Sequence, residues 1–552
     1  MHLERIEISG FRGIKRLSLS FKELTVLIGE NAWGKSSLLD ALCLALSPDA
    51  EFYEFNFSDF HIDHALGNER ATEIQIVLHW YEDYKGEHNA RRYRGFQPFF
   101  SEKDGIKHFY YQIHSHIEND KIITNRQFLH PNGHGISHPD TDKFIRQLMV
   151  LHPIVRIRDS RRLHEERHDG SNEQTSAQTP QELRVQKRLD NTCRRLMTQP
   201  GHVSTAEIKS SITTLRSLVD HYFAFAPHQR SKALSTHYSS LQQSNTHGLY
   251  ANPFDQLIQP HMTKQARLLL MGLLNEYIRA RGPVELKRIS RPIMILEDPE
   301  GRLHPIMLHQ AWAFIQNMPM QKILTTNSPE LLTSAPLTAI KKLIRQPHKT
   351  EVYGVDNGEL SKDDTRKVTF HVRMHRPSAF FARVWLLVEG ETEVWLFNEM
   401  AHLNGYNLAA EGIQIIEFAQ SGLKPLIKLA KILGIEWHLV ADGDPAGKKY
   451  AEKVRNILGD DPERERLTVL PARDIEHFLY KNGYEPLFRD LANITDTKIP
   501  MRKIIHKVLR KTAKPDMALA IVKYTRDEKN NRTPLLIRWV LKRIVAMSRG
   551  FG

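Results

Sequence analysis

The run Gly29-Glu-Asn-Ala-Trp-Gly34-Lys35-Ser36-Ser37 constrains the fold of this chain more than any other stretch. It follows an apolar segment, Glu23–Ile28, and precedes a helix-forming one, so the G-x-x-x-x-G-K-S pattern stands in the strand, loop, helix setting it requires. Gly29 and Gly34 let backbone N–H groups wrap phosphates, with Asn31 in the loop between them, and the helix beginning near Ser36 adds a favourable dipole. Lys35 would neutralise the outer phosphates of a bound nucleotide, Ser36 would ligate Mg²⁺, and Ser37 completes the motif. A tight glycine turn feeding a buried helix is the rival, but a chance match in a chain of this length is on the order of a few per cent at average glycine usage. Upstream, Leu3–Ser9 and Leu17–Phe21 alternate polar and apolar residues around a Phe-Arg-Gly turn, as two half-buried strands do.

A second apolar strand, Ile293–Leu296, runs into Glu297-Asp298-Pro299-Glu300 and then Gly-Arg-Leu-His304-Pro305. Two acids at the end of a buried strand suit a phosphate-bound Mg²⁺ and its attacking water: Glu297 would hold the metal shell and Asp298 would polarise water. A polar strand end followed by a proline turn would explain the segment equally well if it stood alone; the glycine loop upstream shifts the balance. Gln321–Thr325 forms the next strand and ends in Thr326-Asn327-Ser328-Pro329. In this order, the Phe-Arg-Gly turn, the glycine loop, Glu-Asp-Pro-Glu, Leu-His-Pro and Thr-Thr-Asn-Ser-Pro resemble the ABC-type ATPase heads of the SMC, RecF and OLD families. That resemblance implies ATP as ligand, with Asn327 where those heads usually carry a histidine that senses the γ-phosphate. No Leu-Ser-x-Gly-Glu signature precedes the acidic strand; His261-Met-Thr263-Lys264-Gln265, opening the helix Ala266–Ala280, is the positional candidate. ATP binding therefore has firmer support than hydrolysis.

Residues 160–260 are polar, rich in Ser, Gln, His and Arg, and lack the sustained heptads of a long coiled coil, so a helical insertion is expected there. From Ala379 the pattern changes to strands alternating with amphipathic helices, which indicates βαβ units and a parallel sheet. The strand Val384–Val388 leads into Glu389-Gly390-Glu391-Thr392-Glu393, Ile413–Phe418 into Ser421-Gly422, and Trp437–Val440 into Ala441-Asp442-Gly443-Asp444. These acids lie beyond the carboxyl ends of their strands, where open parallel sheets build their sites. Asp442 and Asp444 are two apart, so both carboxylates can face one side, and Gly443 permits a close backbone approach. Glu389 and Glu393 would complete an all-oxygen site for Mg²⁺ or Mn²⁺.

With 552 residues, 41% of them hydrophobic, the chain can support at least two domains, placed at 1–375 and 376–552. Cys43 and Cys193 are too few for a disulfide framework or a four-cysteine zinc site, which fits a reducing compartment. No apolar stretch approaches ~18 residues and the start is not a signal peptide, so a soluble, cytoplasmic protein without membrane contact is expected. The net charge of +13 suits a nucleic-acid partner or an ordinary solvated surface; its cations concentrate in Ile154 to His168 and Lys498 to Pro515.

The glutamate-bearing strand end followed some fifty residues on by Asp-x-Asp resembles the Toprim module of topoisomerases, primases, small ribosomal-RNA nucleases and OLD nucleases. Without a cysteine-rich zinc region or a recognisable tyrosine cleavage domain, primase and topoisomerase fall back. A Toprim module behind a RecF-like head is similar to the OLD family, the overcoming-lysogenization-defect nucleases, and to its YbjD-like branch. The resemblance implies an α/β chain: an ABC-type head with a helical insertion serving dimerisation, then a Rossmann-like Toprim domain cutting DNA, with RNA left open. It adds Glu476, in Asp474-Ile-Glu476-His, as holder of a second metal, and Lys514 as the cation on the scissile phosphate, with Lys511 as its neighbour and rival. One metal would be held by Glu389, Asp442 and Asp444, unless Glu389 is a general base, and the second by Glu393 and Glu476. The competing class is a nucleotide-gated DNA-binding scaffold like RecF.

Overall fold

A computed structural model describes residues 1–63, 69–157, 289–302, 320–356, 358–496, 498–526 and 533–550, with isolated positions 309, 312 and 316. The insertion expected at 160–260 with its dimerisation role, His261 to Gln265 and the helix Ala266–Ala280 lie outside the described residues. The chain divides into one unit of residues 1–335 and 347–352 and a second of residues 336–346 and 353–552.

In the first unit, alternation builds an antiparallel layer. Strand β1 (His2–Phe11) buries Leu3, Ile6 and Ile8 and pairs with β2 (Ile14–Ser20) across the Phe-Arg-Gly turn. Its other edge pairs with β4 (Glu73–Tyr81), followed by β5 (Ile106–Glu118) and β6 (Lys121–Leu129). Continuous apolar runs build a parallel layer instead, because strands covered on both faces have no polar side. Here β3 (Leu24–Ile28) is followed by helix α1 (Lys35–Ala45), and β7 (Ile154–Ile157), β8 (Ile293–Glu297) and β9 (Lys322–Thr325) line up in the order β3-β9-β8-β7. Leu27, Thr325 and Glu297 stand level across three strands, so the residues just beyond them converge. Buried Gln321 joins the layers: its Oε1 accepts from Leu3 N (3.2 Å) and its Nε2 donates to Leu3 O (2.8 Å).

In the second unit, β10 (Val384–Val388), α2 (Glu391–Leu403), β11 (Ile413–Glu417), α3 (Leu423–Ile432), β12 (Glu436–Ala441), α4 (Pro445–Arg455) and β13 (Leu467–Val469) form the expected βα series. The strands are all parallel, in the order β11-β10-β12-β13. The chain leaves β10 to one side for β11 and returns past it to β12, which puts the topological switch point between β10 and β12. All residues of β10 are buried, so both faces of the sheet are covered. One face packs a core shared with α5 (Ile475–Leu479), α6 (Met501–Lys511), α7 (Lys514–Arg526) and α8 (Leu535–Arg549). No helix among the described residues is long and apolar enough to cross a membrane.

Trp385, on β10, is fully buried and its indole N–H donates to Ala379 O at 2.9 Å. Trp385→Ala should destabilise the second unit by about 3–5 kcal/mol in urea unfolding followed by circular dichroism. Trp385→Phe keeps most of the packing and should cost only about 1–2 kcal/mol.

Candidate functional site

In the first unit the glycine loop runs from β3 to α1. Gly34 adopts φ 92°, and Lys35 opens α1 as a buried side chain. Its Nζ donates to Gly29 O (2.7 Å) and to Asn327 Oδ1 (2.8 Å) just beyond β9. Burial lowers the Lys35 pKa, and the negative fields of Asp298 and Glu300 oppose that shift. Asp298 takes φ 43°, an uncommon conformation for a residue with a side chain; its N–H donates to Thr325 O (3.1 Å) and its Oδ1 accepts from Thr325 Oγ1 (3.1 Å). Gly29, Gly34, Lys35, Asp298 and Asn327 thus come together, with Asn31 and Ser36 exposed on the loop and the first turn of α1.

Two expected residues have other partners. Ser37 Oγ accepts from Gly13 N (3.2 Å), docking the Phe-Arg-Gly turn on α1. Glu297 accepts from Arg156 Nε (3.0 Å) and Nη2 (2.8 Å), and Arg156 also pairs with Asp40. Asp40 in turn accepts from Arg12 Nη1 (2.5 Å), and Arg12 Nε reaches Asp59 Oδ1 (2.9 Å). Glu300 is a residue that sequence reasoning passed over. Its Oε1 accepts from Asn327 N (2.6 Å), its Oε2 is buried without a hydrogen-bond partner among the described residues, and burial raises its pKa. The only signal was the third acid of Glu-Asp-Pro-Glu, carried into place by the short turn Pro299–Arg302.

In the second unit the acids gather around the switch point. Glu389 follows β10, Glu393 sits in the first turn of α2, Asp442 follows β12, and Glu476 is buried on α5. Burial pushes the Asp442 carboxyl up to about 8, with Glu393, Glu389, Asp474 and Glu476 adding to the shift. Burial also pushes Glu476 up to about 7, reinforced by Asp474 and Glu393. Asp474 therefore belongs to the cluster, although the sequence marked only Glu476; its Oδ1 also caps α5 by accepting from His477 N (2.8 Å). Asp444 is placed differently: its Oδ1 caps α4 by accepting from Gly447 N (2.7 Å), and it is absent from the charges that raise Asp442. Lys514 begins α7, but its side chain lies outside the described residues; Lys511 is exposed at the end of α6.

Backbone contacts set these positions. Gly443 N donates to Ala472 O (2.9 Å), and a Cβ on Gly443 would stand 2.3 Å from that oxygen. A Cβ on Gly447 would stand 2.0 Å from Asp442 O. Only glycine lets the three segments meet so closely.

Oxygen-only donors fit a hard divalent cation, and a cation would offset both the burial that chiefly raises Asp442 and Glu476 and the repulsion that adds to it. Among the described residues no three of these acids bring oxygens within 4.8 Å of one another. The trio that does is Glu4, His79 and His108, where burial lowers His79 to about 4 and its Nε2 lies 3.0 Å from His108 Nδ1, a neutral imidazole pair.

Residues 380–444 match the model of the overcoming lysogenization defect protein-like TOPRIM domain, and residues 1–379 match that of a protein of unknown function, DUF2813. A curated relative, the uncharacterized protein YbjD of Escherichia coli (strain K12), is 40% identical over 558 residues, covering 100% of both chains. The chain belongs to the OLD family. Solved structures similar to this OLD-family chain include the C-terminal region of the Burkholderia pseudomallei OLD protein, 18% identical over 31% of this chain and 100% of that one, with a TM-score of 0.26. The SMC head domain from Thermotoga maritima is 12% identical over 64% of this chain and 100% of that one, with a TM-score of 0.29.

Asp442 and Glu476 hold protons in the folded chain that the unfolded chain has already released, so stability is lost as pH rises from the ordinary carboxylate range toward about 8. In a chelating buffer the melting temperature should fall between about pH 5 and pH 8. Asp442→Asn should flatten that slope, and Mn²⁺ added at the upper pH should restore the melting temperature, both read by scanning calorimetry.

Proposed function

We propose that this protein is an ATP-binding, divalent-metal-dependent DNA endonuclease or nickase, with a head at about 1–375 and a Toprim nuclease domain at about 376–552. The observation that carries the proposal is the meeting of Glu389, Glu393, Asp442, Asp474 and Glu476 at the switch point of a parallel sheet, in the segment that matches an OLD-like TOPRIM domain. Carboxylates raised by burial and, further, by one another have reason to share a cation, and the charge of the whole chain favours a polyanionic substrate.

Glu389, Asp442 and Asp444 would hold one ion and Glu393 and Glu476 a second. Bound there, Mg²⁺ or Mn²⁺ would supply an activated water and stabilise the leaving oxygen. Asp474 orients the start of α5 and so the approach of Glu476 to Asp442. Lys514 would lie against the charge that grows on the scissile phosphate. In the head, Lys35 is already desolvated and held by Gly29 and Asn327, a position from which it can exchange Asn327 for a nucleotide phosphate. Glu300 holds the Asn327 backbone with one oxygen, and its buried, raised carboxyl would act on the water that attacks the nucleotide once a nucleotide opens that side of the loop. A homodimer through the insertion would let nucleotide state alter the access of DNA.

A supercoiled plasmid should be nicked in Mg²⁺ or Mn²⁺, and Asp442→Ala should abolish nicking while nucleotide binding persists. Protein that binds plasmid but never cuts it with either metal would instead be a DNA-binding scaffold. Glu300→Gln should reduce ATP turnover by about 10²-fold or more while nucleotide affinity, measured by titration calorimetry, changes little.

A further inference from the structure

We infer that the exposed face of α6 is a phosphate-tracking surface that docks a nucleic-acid strand beside the carboxylate cluster. The inference rests on the nuclease proposal for its substrate class. Helix α6 buries Ile504, Ile505 and Val508 in the core that also takes Ile475, Phe478 and Leu479 of α5, the helix that carries Glu476. Its exposed polar residues are Arg502, Lys503, His506, Lys507, Arg510 and Lys511, with Leu509 the one exposed apolar side chain, and the helix contains no acid.

This distribution is unfavourable for an isolated helix. Lys503 and Lys507, and Lys507 and Lys511, are like charges at i,i+4. Arg502 and Lys503 stand in the first turn, where the helix dipole opposes cations. Elsewhere in the unit several cations rest on acids, Arg526 on Glu399 (2.6 Å), Arg489 on Glu485 (2.7 Å), Arg455 on Glu463 (2.9 Å) and Lys367 on Asp363 (2.7 Å), while Lys448, Lys449 and Arg464 form no ion pair among the described residues but do not line one acid-free helix face. Among the described residues, Arg502, Lys503, Lys507 and Arg510 form no ion pair.

A polyanion supplies the missing charge. At ~1.5 Å per residue, Arg502 to Lys511 spans ~13 Å, the length of about four phosphates on one strand of a duplex. A membrane surface suits α6 poorly, because its apolar stripe is spent in the core and only Leu509 is an exposed large hydrophobic. The location adds to the charge argument: a backbone lying along α6 is delivered to the helix neighbour that bears Glu476.

The test uses the full chain in EDTA, which blocks cleavage, with a fluorescein-labelled duplex titrated by anisotropy across a salt series. Changing Arg502, Lys503, Lys507 and Arg510 to Gln should lower the slope of log affinity against log salt by about 3–4 and weaken binding at ~0.1 M salt at least tenfold. A control with Arg366, Lys367, Arg455 and Arg464 changed to Gln removes the same charge and should bind within about twofold of the parent. The α6 variant should melt no lower than the parent, which separates lost docking from lost folding. The inference is overturned if the α6 variant binds like the parent, if the control loses as much, or if poly-glutamate binds the parent and DNA does not. Plasmid nicking that fails while α6-dependent binding survives counts against the nuclease proposal alone; unchanged binding with nicking intact counts against this inference alone.

Discussion

Repulsion between carboxylates that the backbone forces together is the constraint on which the second unit turns. Water would favour separating them, yet the sheet topology brings Glu389 and Asp442 to neighbouring strand ends, and α5 adds Glu476 from the side. Folding energy from the core, with Trp385 on one face of β10 and the shared helical core on the other, holds this arrangement against its own electrostatics. Burial first, and the neighbouring acids after it, favour the protonated forms, which is why two of the acids lie far above the usual carboxylate range.

The first unit solves a different electrostatic problem. Its charges alternate in sign, from Asp59 through Arg12, Asp40 and Arg156 to Glu297, so the Phe-Arg-Gly turn, α1 and β8 are joined by one ionic string. Lys35 stands outside that string and, among the described residues, hydrogen-bonds to Gly29 and Asn327. The cation proposed to meet a phosphate is therefore held by neutral oxygens, which are easier to exchange than a carboxylate.

Much of this was legible in the sequence. The parallel strands follow from unbroken apolar runs, and β10 occupies the residues the pattern marked, because a strand buried on both faces cannot hide its composition. The glycine loop and the acids beyond β10 and β12 were visible because each recurs in a set, at successive strand ends, where a single glycine or acid would have meant little. What escaped depends on contacts between distant segments. Glu300 looks like any turn acid until Asn327 is placed beside it, and Asp474 like any helix cap until Asp442 is. The pairing of Glu297 with Arg156 was hidden because Arg156 belongs to a basic stretch whose composition suggested an outward-facing surface.

The contact between Gly447 and the Asp442 carbonyl has one more result. With the helix backbone pressed against the strand end and Asp444 bonded across the same corner, the joint has almost no room to hinge. Asp442 is thus carried on a backbone with little room to shift, and an ion bound there would meet it in place. The rigidity of the centre is owed to a residue that offers it no functional group at all.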